Sequence, residues 1–226
     1  MLAQRMSSNA VNAHAKGDVI AYCRAVLRPG DIALDGGANV GNVTKVMAES
    51  VGERGIVYAI EPDPRCEEAL LALRATFPQI RPVAVALSEV TGDGVLTQGR
   101  NSAQSSLIAE CVAEPEQPVL VQRLKLDHLC PKADLVKLDL QGGEYAALKG
   151  ATRLLQRCPQ WVIELWPHAL RQQQIGGDQF LAPFLMAGLF PHWMDDGYPH
   201  AEVDEVLRFL QEPQEPHQHV NVVFSR

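Results

Sequence analysis

The chemistry-bearing residues of this chain gather first at Asp35-Gly36-Gly37-Ala38-Asn39-Val40-Gly41. Two templates overlay that run. Gly36-x-Ala38-x-x-Gly41 approximates a dinucleotide fingerprint, whose small residues let a pyrophosphate approach the backbone and a helix N-terminus. Asp35-x-Gly37-x-Asn39-x-Gly41 instead sets an acid ahead of small residues at every second position. Charge separates the two. A carboxylate a few ångströms from a pyrophosphate costs about 1 to 4 kcal/mol even at fairly high effective dielectric, whereas it attracts the ammonium and sulfonium of S-adenosylmethionine. Glu61-Pro62 lies roughly one strand-helix-strand unit later, where a carboxylate accepts from both ribose hydroxyls of either nucleotide. Each residue also has a purely structural use: the glycines for a tight turn, Asp35 as a helix cap, Glu61 as a strand-end acid before a proline.

Further groups could assist a reaction. Asp139 closes the apolar run Leu135-Val136-Lys137-Leu138, where it would contact cofactor or acceptor and act as general base, or merely cap the next helix. Glu144 falls in the first turn of that helix, a place the helix dipole already favours for an acid. Glu164 and His168 follow the run 161–165, and His168 is of the residue type suited to take a proton near neutral pH. Trp166 could stack on a sugar face, though Trp161, Trp166 and Trp193 all suit core packing. Ser105 and Ser106 sit in a serine-rich stretch. His217-x-His219, with Asp195 and Asp196 upstream, offers ligand types without a recognised metal spacing, so no metal is expected.

These residues need elements to hold them. Val19, Ile20, Cys23, Val26 and Leu27 share one helical face. Residues 32–34 read as a strand entering the glycine turn, 42–51 as a helix, 56–60 as a strand, 66–75 as a helix and 83–87 as a strand containing Ala86. Thr91-Gly92-Asp93-Gly94 reads as a turn into 95–97. Residues 98–118 read as a surface excursion resembling a lid. Residues 135–139 are a strand, 144–156 a helix, 161–165 a strand, 180–186 a helix, 189–194 a strand, 203–210 a helix and 220–224 a last strand. Strands alternating with helices imply an α/β, doubly wound, mainly parallel sheet in one domain over residues 17–226, after an N-terminal extension of residues 1–16. In that architecture ligands bind beyond the strand ends beside the first strand.

Composition bounds the partners. The chain has 226 residues, 46% hydrophobic and 21% charged, with 20 basic against 27 acidic side chains and a formal net charge of −7. No basic footprint is present, so nucleic acid is not expected as a partner. No run approaches the ~18 apolar residues of a membrane span, and the N-terminus has no apolar signal core, so a cytoplasmic protein is expected. Five widely spaced cysteines without a C-x-x-C pair read as buried thiols.

Four motifs in order resemble those of the FkbM-type methyltransferases. They are Asp35 to Gly41, then Ala59-Ile60-Glu61-Pro62, then Asn101-Ser102-Ala103-Gln104-Ser105-Ser106-Leu107, then Val136-Lys137-Leu138-Asp139-Leu140-Gln141-Gly142-Gly143-Glu144 with Leu148-Lys149-Gly150-Ala151. The resemblance implies a seven-stranded class I fold that uses S-adenosylmethionine to methylate a hydroxyl of a small molecule or glycan. Gln141 stands where the family usually carries an acid, which puts in doubt any role needing a carboxylate there. The residues expected at the cofactor are Asp35, Gly36, Gly37, Ala38, Asn39, Gly41, Glu61, Pro62, Ala86 and Asp139, and those expected in catalysis are Asp139, Glu144 and His168. The alternatives are a nicotinamide-dependent oxidoreductase, disfavoured by Asp35 and by the lack of a Ser/Tyr-x-x-x-Lys signature, and a non-catalytic nucleotide-binding protein.

Overall fold

The computed structural model describes residues 17–194, 202–212, 215–216 and 218–226. Its first half alternates α1 (Gly17–Val26), β1 (Ile32–Gly36), α2 (Asn42–Val51), β2 (Ile56–Ile60), α3 (Glu67–Thr76) and β3 (Ile80–Val83). Three strands follow, β4 (Ala86–Leu87), β5 (Gly92–Gly99) and β6 (Pro115–Leu124), then the short α4 (Leu126–Leu129). The rest runs β7 (Leu135–Leu138), α5 (Glu144–Lys149), α6 (Thr152–Arg157), β8 (Gln160–Leu165), α7 (Pro167–Gln172), α8 (Gly177–Met186), β9 (Phe190–Trp193), α9 (Val203–Gln211) and β10 (Val220–Ser225).

Seven strands form one sheet in the order β3-β2-β1-β7-β8-β10-β9. The pairs β3–β2–β1–β7–β8 are parallel and β10 is antiparallel to both neighbours. Strands buried on both faces need apolar side chains throughout: every residue of β7 is buried, although one of them is Lys137. One core layer holds Phe184, whose ring stacks on Phe224 at 3.9 Å and meets Trp161 edge-on at 6.0 Å. The other packs α1 and α2 through Cys23, Met47 and Val51. The chain turns opposite ways after β1 and β7, so their C-terminal ends bound the crevice where this architecture takes ligands.

Four expectations change, each through a contact distant in sequence. Residues 83–87 do not form one strand: the Val85 N–H bonds the Val83 carbonyl in a tight turn, and Ala86–Leu87 joins a second sheet of order β4-β6-β5. The run 91–94 is no turn, because β5 begins at Gly92 and pairs with β6. The Arg123 side chain packs over Gly94, where a Cβ would lie 2.7 Å from it and displace it. Pro115 and Pro118 enter β6 because β4 pairs only with Arg123 and Leu124, leaving the proline half without that neighbour. The helix expected over 144–156 divides at Gly150, where a Cβ would strike the Ser88 carbonyl at 2.2 Å. Asp127 then caps α6 by accepting from the N–H groups of Arg153 and Leu154 and from the Thr152 hydroxyl.

Candidate active site

The glycine turn leaves β1 through left-handed backbone at Gly37 (φ 72), Asn39 (φ 49) and Gly41 (φ 89). Gly37 is irreplaceable on space alone, because its Cβ would sit 1.9 Å from the Asp139 carbonyl oxygen. Gly41 lets α3 approach, since a Cβ would strike Leu73 at 2.2 Å. Asp35 turns inward. It is fully buried, accepts from the Thr44 hydroxyl at 2.6 Å and pairs with Lys137 Nζ at 3.1 Å. Lys137 Nζ also donates to the Gly37 carbonyl at 3.0 Å and lies 3.8 Å from Asp139. Burial alone would depress that ammonium's pKa, but Asp35 and Asp139 hold it above its ordinary value.

Glu61 ends β2 facing the turn. Its Oε2 accepts from the Asn39 N–H at 2.8 Å and its Oε1 from the Asp63 N–H at 2.9 Å. Burial pushes its carboxyl up to about 7 against those two donors. Asp63 is the anchor of the excursion after β5: it accepts from Gln98 Nε2, the Ser105 hydroxyl and the Arg65 guanidinium. Burial works against its ionised form, yet those donors hold its carboxyl below the ordinary value. Ser102 donates to Asn39 Oδ1 and Ser106 to the Gln141 carbonyl. The segment expected as a lid is therefore a strap tied to both walls of the crevice.

At the far wall, Gln141 (φ 51) and Gly142 (φ 96) turn from β7 into α5 through left-handed backbone. A non-glycine residue there costs on the order of 1 to 3 kcal/mol, and its side chain is what fixes it. Gln141 Nε2 donates to Asp139 Oδ1 at 2.9 Å and to Glu164 Oε2 at 3.3 Å. Glu164 Oε1 lies 3.5 Å from His219 Nε2. Burial first, then Asp139 and Glu144, hold the Glu164 carboxyl well above its ordinary value.

Between these walls lies a cleft of ≈ 990 Å³, at the upper end of small-ligand sites. Gly37, Ala38, Asn39, Glu61, Pro62, Ala86 and Asp139 line it. Asp35, Gly36 and Gly41 do not. Asp35 is spent on Lys137, Gly36 packs under Leu138 and Gly41 faces Leu73. Glu144 is buried with Oε1 accepting the Leu140 N–H, so it stabilises the turn from behind the wall. Burial, and secondarily Asp139, raises its carboxyl. His168 sits on α7 against Gln172 and is likewise absent from the lining. Sequence spacing points to no role for Lys137, Asp63 or Asn221 and raises His219 only as a metal ligand without a recognised spacing. A lysine inside a fully apolar strand was the available signal for the first; the others are joined only by the fold.

The cleft wall carries three carboxylates, Glu61, Asp139 and Glu164, and one lysine, Lys137, among the described residues. The negative sign expected of Asp35 thus belongs to other acids. Among the described residues no group of three or more His, Cys, Asp or Glu side chains could hold a metal, and Asp195, Asp196 and His217 lie outside them. No described helix is long and apolar enough to cross a membrane.

Residues 35–214 match the methyltransferase FkbM domain. The chain belongs to the FkbM methyltransferase family. No curated protein matches it by sequence. A putative rRNA methylase from Clostridium thermocellum is similar in structure at 10% identity, covering 94% of this chain and 95% of that one with a TM-score of 0.53, which is a likeness of fold. Fibrillarin from Aeropyrum pernix, solved with natively bound S-adenosyl-L-methionine, shares 15% identity over 91% of this chain and 72% of its own, with a TM-score of 0.49. As an FkbM methyltransferase the protein takes S-adenosylmethionine as methyl donor. The residues present fit it: Glu61 offers unoccupied lone pairs to ribose hydroxyls, Gly37 leaves backbone bare, and the acids face a cationic molecule.

Proposed function

We propose that this FkbM methyltransferase methylates a hydroxyl of a small molecule or glycan. The observation that carries the reading is a single acid-walled cleft with two ends. Asn39 and Glu61 stand at one, Glu164, Trp166, His219 and Asn221 at the other, and Asp139 between them. When bound, S-adenosylmethionine supplies an electrophilic methyl on a sulfonium, so the protein chiefly has to align a nucleophile with it. Glu61 holds the ribose, and Asp139 faces the donor's positive charge. Trp166 is fixed for stacking, since its indole N–H donates to the Pro216 carbonyl at 2.7 Å. The strap closes the cleft over the acceptor and excludes water. The net charge of −7 and a cleft wall with three acids against one lysine favour a neutral hydroxyl compound over a polyanion. Five unpaired cysteines suit a reducing, cytoplasmic setting.

Incubation of the protein with S-adenosylmethionine labelled in its methyl group, and with sugars, glycans and hydroxylated metabolites, tests this reading. Label should appear in an alkali-stable ether. Transfer confined to nitrogen or to RNA would overturn it.

A further inference from the structure

The hydroxyl of an acceptor must lose its proton, and the residues first expected to take it are poorly placed. Glu144 and His168 do not line the cleft. Asp139 lines it, but its Oδ1 accepts from Gln141 and its Oδ2 lies 3.8 Å from Lys137, so both oxygens face positive or donating groups. Its charge is committed to the wall and to the donor.

Two residues at the acceptor end are arranged differently. Glu164 ends β8 with its side chain 4% exposed, whereas His219, just before β10, has a side chain 39% exposed in the same cleft. The antiparallel pairing of β10 with β8 places Val220 beside Leu165 and Asn221 beside Glu164, so sheet register itself brings the imidazole to the carboxylate. A buried acid holding an accessible histidine is the geometry of an oriented general base.

Resting on the hydroxyl-methylation reading, we propose that His219 is the catalytic base of this enzyme and that Glu164 is the positioning residue that orients it. The acceptor oxygen forms the new C–O bond as the C–S bond of the sulfonium breaks and the electron pair stays on sulfur. The hydroxyl proton passes to the His219 imidazole, whose positive charge then faces Glu164 Oε1. Gln141 Nε2, donating to Glu164 Oε2, keeps the carboxylate turned toward the histidine. An amide here avoids one more negative charge beside Glu164, which already faces Asp139, Glu144 and Lys137.

The full chain, labelled with 13C-histidine and saturated with S-adenosylhomocysteine, is observed by NMR, with His219 assigned through His219→Asn. Replacing Glu164 by Gln should move the His219 ring resonances, because the carboxyl lies 3.5 Å from Nε2, and leave those of the other histidines in place. Unmoved His219 resonances would overturn the pairing. With labelled S-adenosylmethionine and methyl hexopyranosides as acceptors, His219→Ala should lower kcat about 100-fold, with added imidazole restoring part of it. The KM for the donor should hold within about twofold, because only a proton acceptor is removed. An unchanged kcat would overturn the role of His219. Failure of the hydroxyl-methylation reading looks different: the unaltered protein would then bind S-adenosylhomocysteine yet transfer no label to any hydroxyl acceptor.

Discussion

Lys137 Nζ lies 3.1 Å from Asp35 Oδ1 in the middle of the sheet, where neither side chain meets solvent to any useful extent. The pair joins β1 to β7, the two strands whose divergence opens the crevice, and the same ammonium reaches the Gly37 carbonyl. It therefore fixes the turn from below. Removing one member strands a buried charge, so Lys137→Met should cost about 3 to 5 kcal/mol in denaturant unfolding. The double substitution Lys137→Met with Asp35→Leu should cost less than Lys137→Met alone. Additive losses would show that the pairing has no such part.

Glu61 couples donor binding to pH. Its carboxyl is raised to about 7 from 4.5, so the folded protein holds the proton more tightly than the unfolded chain. Its contribution to stability is then fully present below the unfolded value and is lost as pH rises toward about 7. Ribose hydroxyls need the ionised form. Affinity for S-adenosylhomocysteine should thus rise roughly tenfold between pH 6 and pH 8, while Glu61→Gln should bind more weakly with a flatter profile. Equal slopes in the two proteins, measured by titration calorimetry, would assign the pH dependence elsewhere.

Gly37→Ala should abolish donor binding and destabilise the fold, because the added Cβ would fall 1.9 Å from the Asp139 carbonyl on left-handed backbone. At Gly30, also left-handed, nothing lies within 4 Å of such an atom. Gly30→Ala should therefore cost only the backbone strain, about 1 to 2 kcal/mol, and leave binding intact. Thermal unfolding with and without S-adenosylhomocysteine separates the two.

Several of the strap's ties converge on one hydroxyl. Ser105 Oγ donates to Asp63 Oδ2 at 2.7 Å and accepts from Arg65 and the Gly99 N–H. Ser105→Ala should raise amide hydrogen exchange across residues 98–114 at least tenfold while β7 and β8 stay protected, since only local opening is eased. Unchanged exchange would mean that the remaining ties suffice.

The seven-stranded sheet was legible because its strands are short apolar runs punctuated by Gly, Pro and Asp, and residues 42–51 and 56–60 match α2 and β2 residue for residue. What was hidden depends on partners far along the chain. Asp127 caps a helix 25 residues away through Thr152, and Ser88 stops another by occupying the space a Gly150 side chain would need. The site shows the same division. Local spacing found the turn, Glu61 and Asp139, which line the cleft. It placed Asp35 at the donor, but spacing reveals an acid near a turn and not the lysine 102 positions later with which that acid pairs. Spacing pointed to His168 beside the strand carrying Glu164, whereas it is antiparallel register that brings His219 to within 3.5 Å of that carboxyl.

Calorimetric titration of the purified chain with S-adenosylhomocysteine, beside a matched titration with NAD, tests the central claim most directly. One molecule of S-adenosylhomocysteine should bind per chain, weakened by about 1 to 3 kcal/mol in Glu61→Ala, with no heat from NAD. Tight NAD binding with a silent S-adenosylhomocysteine titration would contradict the account.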